Sequence, residues 1–279
     1  MALIDFILNL AGLLLWLNWR SVRFDPLGHR TPATLIGTLR RAEPRRLRRW
    51  HLLAALGGLL LLRAVLYWQI GAGVGWAAGT LNLVVTEPSF RSDSFGRILL
   101  FSFFSFGLTL GVFYLWLLLL SILAGPEPLP FHRLVRMPLG AIDRWPQGMK
   151  LLLPLLVTAV LWWLASWLLA WLNIIPPLVS PAHRIEESLV IGLGSYLTWK
   201  YLIGALLVLH LLNSYIYFGK HPIWPYVNAE ARTLLSLLRG IPLRAGKVDF
   251  APLVAMVLVF LASEFAERGL RSLYGKLPF

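Results

Sequence analysis

The 279-residue chain contains no cysteine. That absence removes disulfide scaffolds, cysteine-ligated zinc, iron–sulfur clusters and thiol nucleophiles, because each needs a sulfur that the chain lacks. Charge is scarce too: Asp, Glu, Lys and Arg make up 14% of residues, against about 25% in a soluble domain. An ordinary cytosolic enzyme is therefore excluded. Also missing are a Gly-x-x-x-x-Gly-Lys-Ser/Thr loop, a His-Glu-x-x-His pair, a Gly-x-Ser-x-Gly elbow and any span serine with a base on a defined face. What the chain has instead is 58% hydrophobic residues and a mean hydropathy of +0.69. Its net charge of +13 is dispersed between apolar runs long enough to cross a bilayer, so it does not form a nucleic-acid patch.

A span needs about 20 mostly apolar residues. Six windows meet that requirement, at about 3–19, 51–72, 97–123, 151–174, 194–218 and 251–268. The first has no basic residues before it and no small-residue cleavage site after it, and Trp16, Trp19 and Arg20 follow as interface anchors, so it reads as a span and not a signal peptide. The loops between spans sort by charge. Residues 20–50 hold nine Arg, 125–150 hold four Lys/Arg and 219–249 hold five, together 18 of the 26 basic residues. The positive-inside rule turns these three loops toward the cytoplasm and leaves both termini outside. The expected fold is an all-α membrane protein, six transmembrane helices in three related hairpins (1–75, 76–175 and 176–279) with short interfacial amphipathic helices.

Comparison of the loops exposes a repeat. Gly246-Lys247-Val248-Asp249-Phe250-Ala251-Pro252 and Gly140-Ala141-Ile142-Asp143-Arg144-Trp145-Pro146 share Gly-x-(Ile/Val)-Asp-x-x-Pro directly before a span. Gly permits the turn, Asp caps free N–H groups of the following helix, and Pro sits in the first turn where no donor is needed. The pattern predicts a helix-start device, with ligand binding by the two Asp as the alternative. The first loop lacks the motif, but Thr34–Arg40 matches Thr233–Arg239 in residue type at five of seven positions. Leu35, Ile36 and Leu39, like Leu234, Leu235 and Leu238, form one stripe of a short helix. With Arg40, Arg41, Arg45, Arg46, Arg48 and Arg49 beside it, the first-loop segment is expected in the interface plane, attracting anionic lipid at roughly 1 kcal/mol per basic residue.

The stretches Leu212–Gly219, Leu237–Arg244 and Asp249–Val254 resemble the YggT family of small integral membrane proteins. The likeness is strongest over 195–275, weaker over 97–175, where Pro138, Gly140, Asp143 and Pro146 keep the motif without an Asn-Ser-Tyr counterpart, and weakest over 1–75. The resemblance implies hairpin topology and no established catalytic site. Some plastid relatives are linked to haem attachment in a photosynthetic cytochrome complex, and bacterial ones to envelope or osmotic phenotypes. It favours a bacterial inner membrane and an accessory or assembly subunit over an enzyme.

Polar side chains inside a bilayer are functional candidates by default. Arg63, midway through the second span, can pair with Asp5 or Glu264, snorkel outward, or bind an anionic lipid or substrate. His210 shares a helix face with Asn213 and Ser214, which suits interhelical hydrogen bonding; a haem would bring a second ligand at the same depth, and His29, His51, His132, His183 and His221 lie in loops or at interfaces. No cofactor beyond bound lipid is expected, and no metal. Lys200 reads as an interface anchor, and Glu186 and Glu187 as solvating an outer loop. The function these features favour is a non-enzymatic accessory or scaffold subunit, its partners other membrane proteins, anionic lipids or a second copy of itself. A transporter or channel built from repeated hairpins is the alternative.

Overall fold

The structure is a computed structural model. It describes residues 2–21, 49–73, 79–90, 94–125, 130–175, 180–216, 221–238, 243–245 and 248–277. Helices dominate them: α1 (Ala2–Ser21), α2 (Arg49–Gly73), α3 (Phe95–Leu123), α4 (Pro130–Leu139), α5 (Gln147–Trp171), α6 (Pro181–Gly194), α7 (Trp199–Tyr215), α8 (Ile223–Leu235) and α9 (Ala251–Tyr274). Strand is limited to two-residue pieces, among them Arg244–Ala245 paired antiparallel with Val248–Asp249.

Among the described residues five stretches are long and apolar enough to cross a membrane: Leu3–Arg20, Trp50–Ile70, Phe95–Leu123, Gln147–Trp171 and Pro181–Tyr215. The chain is thus an α-helical protein of membrane character. The fifth stretch starts well before residue 194, because α6 runs into α7 through a 3-10 segment at Ser195–Thr198. Its 35 residues would reach about 50 Å as continuous helix, more than a hydrocarbon layer of about 30 Å. Residues 175–193, expected as a connection, therefore contain a helix. α9 is 24 residues long but is not among the five; Glu264, Glu267, Arg268 and Arg271 crowd its second half and leave only residues 251–263 uncharged.

The chain divides into two compact units, Met1–Gly79 with Phe90–Leu110, and Thr80–Ser89 with Gly111–Phe279. In the first, α1 packs along α2. Leu56, Leu60 and Phe106 form its apolar core with Leu15, Trp16 and Leu110 around them. Gly12 brings α3 close to α1, since a Cβ there would stand 2.8 Å from the Phe106 ring.

In the second unit α5 packs along α6, and α7 along α8 and α9. Leu117, Leu118, Val135, Leu139, Leu206, Tyr226 and Val227 make one cluster from α3, α4, α7 and α8. α4 and α8 are short helices with one apolar side, the type expected between spans; α8 ends in a 3-10 turn at Ser236–Leu238. Gly192 lets α6 meet α5, for a Cβ would come within 2.8 Å of the Leu155 carbonyl oxygen. Ser180 opens α6 by accepting the Ala182 N–H. The 3-10 segment is held by reciprocal indole bonds, Trp116 Nε1 donating to the Thr198 carbonyl and Trp199 Nε1 to that of Leu115, both 3.1 Å.

Candidate functional site

In the first unit three helices each place polar residues on one face. On α1, Asp5 and Asn9 are one turn apart and Gly12 continues the row; on α2, Arg63 and Tyr67 repeat that spacing; on α3, Ser102 and Ser105 do so at three residues. Arg63 is 1% exposed. Its Nη1 donates to Asn9 Oδ1 at 2.8 Å, and its Nη2 to Asp5 Oδ1 at 2.7 Å and Ser105 Oγ at 2.9 Å. Asn9 Nδ2 donates to the same Ser105 Oγ at 3.1 Å, and the Tyr67 hydroxyl donates to Asp5. The Tyr67 and Phe101 rings lie 5.5 and 5.3 Å from the guanidinium carbon, close enough for cation–π attraction. Ser102 ties α3 to α2 through the Leu60 carbonyl at 2.9 Å.

Fixed donors on a planar fork make this a joint. One cation binds side chains of all three helices, and one carboxylate neutralises it. Such a pair holds together inside lipid because the alternative is an unpaired charge in hydrocarbon. Arg63 Nε is buried without a hydrogen-bond partner among the described residues, so the joint is close to saturated, not wholly so. Glu264, the other partner considered for Arg63, is instead joined to Arg268 on its own helix at 3.0 Å.

A second polar cluster forms in the other unit where α3 ends and α5 begins. Lys150 Nζ donates to Ser121 Oγ at 2.8 Å, and Ser121 Oγ donates to Asp143 Oδ1 at 2.6 Å. Asp143 also faces Lys150 at 3.8 Å and Arg136 Nε of α4 at 3.2 Å. This corrects the expectation that Asp143 caps the following helix: Pro146 holds the cap position of α5, with no side-chain cap bond. Gly140, at φ +60°, begins a 3-10 turn over Gly140–Arg144, and that turn aims Asp143 at buried Lys150 in place of the free amides. The other copy of the motif differs. Asp249 Oδ1 accepts the Ala251 N–H at 3.0 Å, and Pro252 is the second residue of α9. Gly246 lies outside the described residues.

No family model, no curated protein and no solved structure matches the chain. The reading of its sites therefore rests on the residues themselves. His210 Nδ1 meets Asn228 Oδ1 of α8 at 2.8 Å, linking α7 to α8, while Asn213 is half-buried one turn further along α7. Arg40, Arg41, Arg45, Arg46 and Arg48, with the Thr34–Arg40 stripe, lie outside the described residues, and Arg49 is the first residue of α2.

Several residues read from sequence as peripheral are buried. Glu187 was expected to solvate a loop; it sits on the inner side of α6 and accepts the Tyr274 hydroxyl at 3.1 Å. Glu186, beside it, points out and meets His183 at 3.2 Å. Lys200 binds Glu267 of α9 at 3.2 Å, beyond any anchoring role. His132 is buried between α4 and α8, its Nε2 3.0 Å from Glu230 Oε1. Burial pushes the Glu230 carboxyl above the ordinary range, partly offset by the hydrogen bond to His132, and pushes the Tyr226 phenol upward as well. Among the described residues no group of three His, Asp or Glu side chains has the arrangement to hold a metal ion.

Sequence reasoning missed Asn9, Tyr67 and Ser105. The signal was present as polar residues spaced by three or four within apolar helices, the spacing that puts them on one face with Asp5 and Arg63.

Proposed function

We propose that the protein is a non-enzymatic, multi-pass subunit that assembles with other integral membrane proteins in a bacterial inner membrane. In this reading α9 makes a sixth crossing, the six helices form three hairpins, the basic loops face the cytoplasm and both termini lie outside. The stretches Leu212–Gly219, Leu237–Arg244 and Asp249–Val254, with the weaker copy at Gly140–Pro146, are the reason for likening the chain to the YggT family of membrane proteins.

The observation that supports it is how the polar groups are used. Arg63 is spent on joining α1, α2 and α3, Lys150 on Asp143 and Ser121, and Lys200 on Glu267. The outward face of α5 stays apolar: Leu152, Leu156, Val160, Trp163, Trp167 and Trp171 follow one another at three- and four-residue steps, all exposed. Internal charges that neutralise each other, beside an apolar helix face, suit a protein that works by holding neighbours. The first-loop arginines, Arg40 to Arg49, add attraction to anionic lipid in this reading.

The test is gentle extraction of the tagged protein from its native membrane, followed by mass spectrometry of what co-migrates. A stoichiometric set of other membrane proteins is expected. A chain that runs alone and moves ions or small solutes in proteoliposomes would replace this reading with a transporter.

A further inference from the structure

α4 and α8 come from different stretches of the chain, 98 residues apart at their point of closest polar contact, and share the apolar cluster of Val135, Leu139, Tyr226 and Val227. One ionisable pair lies between them. His132 is 4% and Glu230 1% exposed, and the Tyr226 ring stands edge-on to the imidazole with centroids 5.2 Å apart. Glu230 uses one oxygen on His132; the other, Oε2, and the Tyr226 hydroxyl are buried without hydrogen-bond partners among the described residues. The site therefore offers the carboxyl group one strong neighbour, the imidazole.

We infer that His132 and Glu230 form a proton-operated clasp between α4 and α8, closed while the pair shares one proton and released when that proton leaves. With one proton the pair is neutral overall, as carboxylic acid and imidazole or as carboxylate and imidazolium. Without it, Glu230 is a buried carboxylate facing a neutral ring, and a buried charge without a counter-ion is destabilising.

Among the described residues, the other titratable groups named around the pair are committed elsewhere or face outward. Arg136 of α4 binds Asp143, and Lys150 of α5 binds Ser121 and Asp143. His210 of α7 is on Asn228, Arg232 of α8 is exposed, and Asp249 ahead of α9 accepts from Ala251. Tyr114 of α3 lies at the edge of the same apolar cluster, and Tyr226 is held in its phenol form by burial.

The sign follows from Glu230. Its carboxyl binds a proton more tightly in the closed clasp than when exposed, where its ordinary value is 4.5. The clasp therefore loosens as pH rises and the shared proton leaves, the opening constant then growing by up to about tenfold per pH unit, and it also loosens in strong acid, where a second proton leaves a buried imidazolium facing a neutral carboxylic acid. Release would pass along α4 to Arg136 and hence to the Asp143 turn.

The absence of cysteine allows a clean test. Cysteines placed by Met137→Cys and Thr233→Cys are spin-labelled, and the distance between α4 and α8 is measured in nanodiscs from pH 4.5 to 9. A single short distance is expected where the pair holds one proton, with a longer population growing as pH rises toward 9. The Glu230→Gln variant, which has no carboxylate to deprotonate, should not open as pH rises. Hydrogen exchange of residues 130–139 in the unlabelled protein, corrected for intrinsic rates, checks the same opening without labels. Distances and corrected exchange that do not change with pH would overturn the inference, as would an equal response in Glu230→Gln.

Discussion

Removing either member of the Asp5–Arg63 pair should cost much more than removing both. Arg63 is 1% exposed and Asp5 28%, and that asymmetry sets the order. Asp5→Asn leaves a guanidinium that cannot deprotonate in a buried site, a cost of about 3–5 kcal/mol. Arg63→Met leaves Asp5 without its cation, but Asp5 is 28% exposed, so the loss should be smaller, about 1–3 kcal/mol. The double variant replaces the pair by neutral side chains and should fall within about 1–2 kcal/mol of the parent protein. The expected order of stability is parent and double variant together, then Arg63→Met, then Asp5→Asn, with a coupling energy above about 2 kcal/mol. Unfolding in mixed micelles of rising SDS fraction, followed by tryptophan fluorescence, measures each corner of the cycle. If the double variant is destabilised by the sum of the singles, the joint is a set of independent contacts and the reasoning fails.

The two copies of the Gly-x-x-Asp motif should respond differently. Asp143→Ala strands Lys150 and should cost about 3 kcal/mol, whereas Asp249→Ala loses a helix-start hydrogen bond and should cost about 1 kcal/mol; the same SDS titration separates them, and equal losses would contradict the assignment. Gly192→Val drives a side chain into the Leu155 carbonyl and should cost at least about 1–3 kcal/mol, visible as a lower thermal midpoint, while Gly57→Ala, with open space at its Cβ, should be neutral or better. Tyr67→Phe removes one donor from Asp5 and should cost about 1 kcal/mol; because the Arg63 contacts remain, no change in cross-linking between α1 and α2 is expected.

Much of the membrane architecture was legible because it depends on runs of apolar residues, a property of the chain that needs no partner. Spans one to four lie close to where hydropathy put them. The fifth was misplaced at its start because α6 carries Arg184, Glu186 and Glu187, charges that read as loop. The burial of Arg184 and Glu187 becomes visible only once α6 lies against α5 and α9, with Arg184 stacked 4.4 Å from the centre of the Trp167 ring and Glu187 on Tyr274. The Asp5–Arg63 pairing was open to sequence reasoning because both are charges in apolar surroundings; Asn9 and Ser105 left only their three- and four-residue spacing as a signal, since polar uncharged residues are common in such helices and a neighbour's donors give them their role. His132 was harder still. Its partner lies 98 residues away, and no local pattern announces a contact between two short helices.

The repeated motif shows why a local reading can give the right element with the wrong chemistry. Both copies precede a long helix, and in both a carboxylate stands just before its start, yet the carboxylates bind different things. The difference lies seven residues on, within the first two turns of the helix, where one copy has Lys150 and the other Met256. A buried ammonium demands an anion far more strongly than a free amide at a helix end, which water or a neighbouring carbonyl can satisfy. Lys150 thus draws Asp143 away from the cap, and the positive-φ turn at Gly140 allows it. Met256 offers no such ammonium, and Asp249, whose backbone pairs with Arg244, accepts from an amide of its own helix. The carboxylate's role is set by the strongest donor the fold brings within reach, so a shared motif identifies where a helix starts and leaves its chemistry to the residues around it.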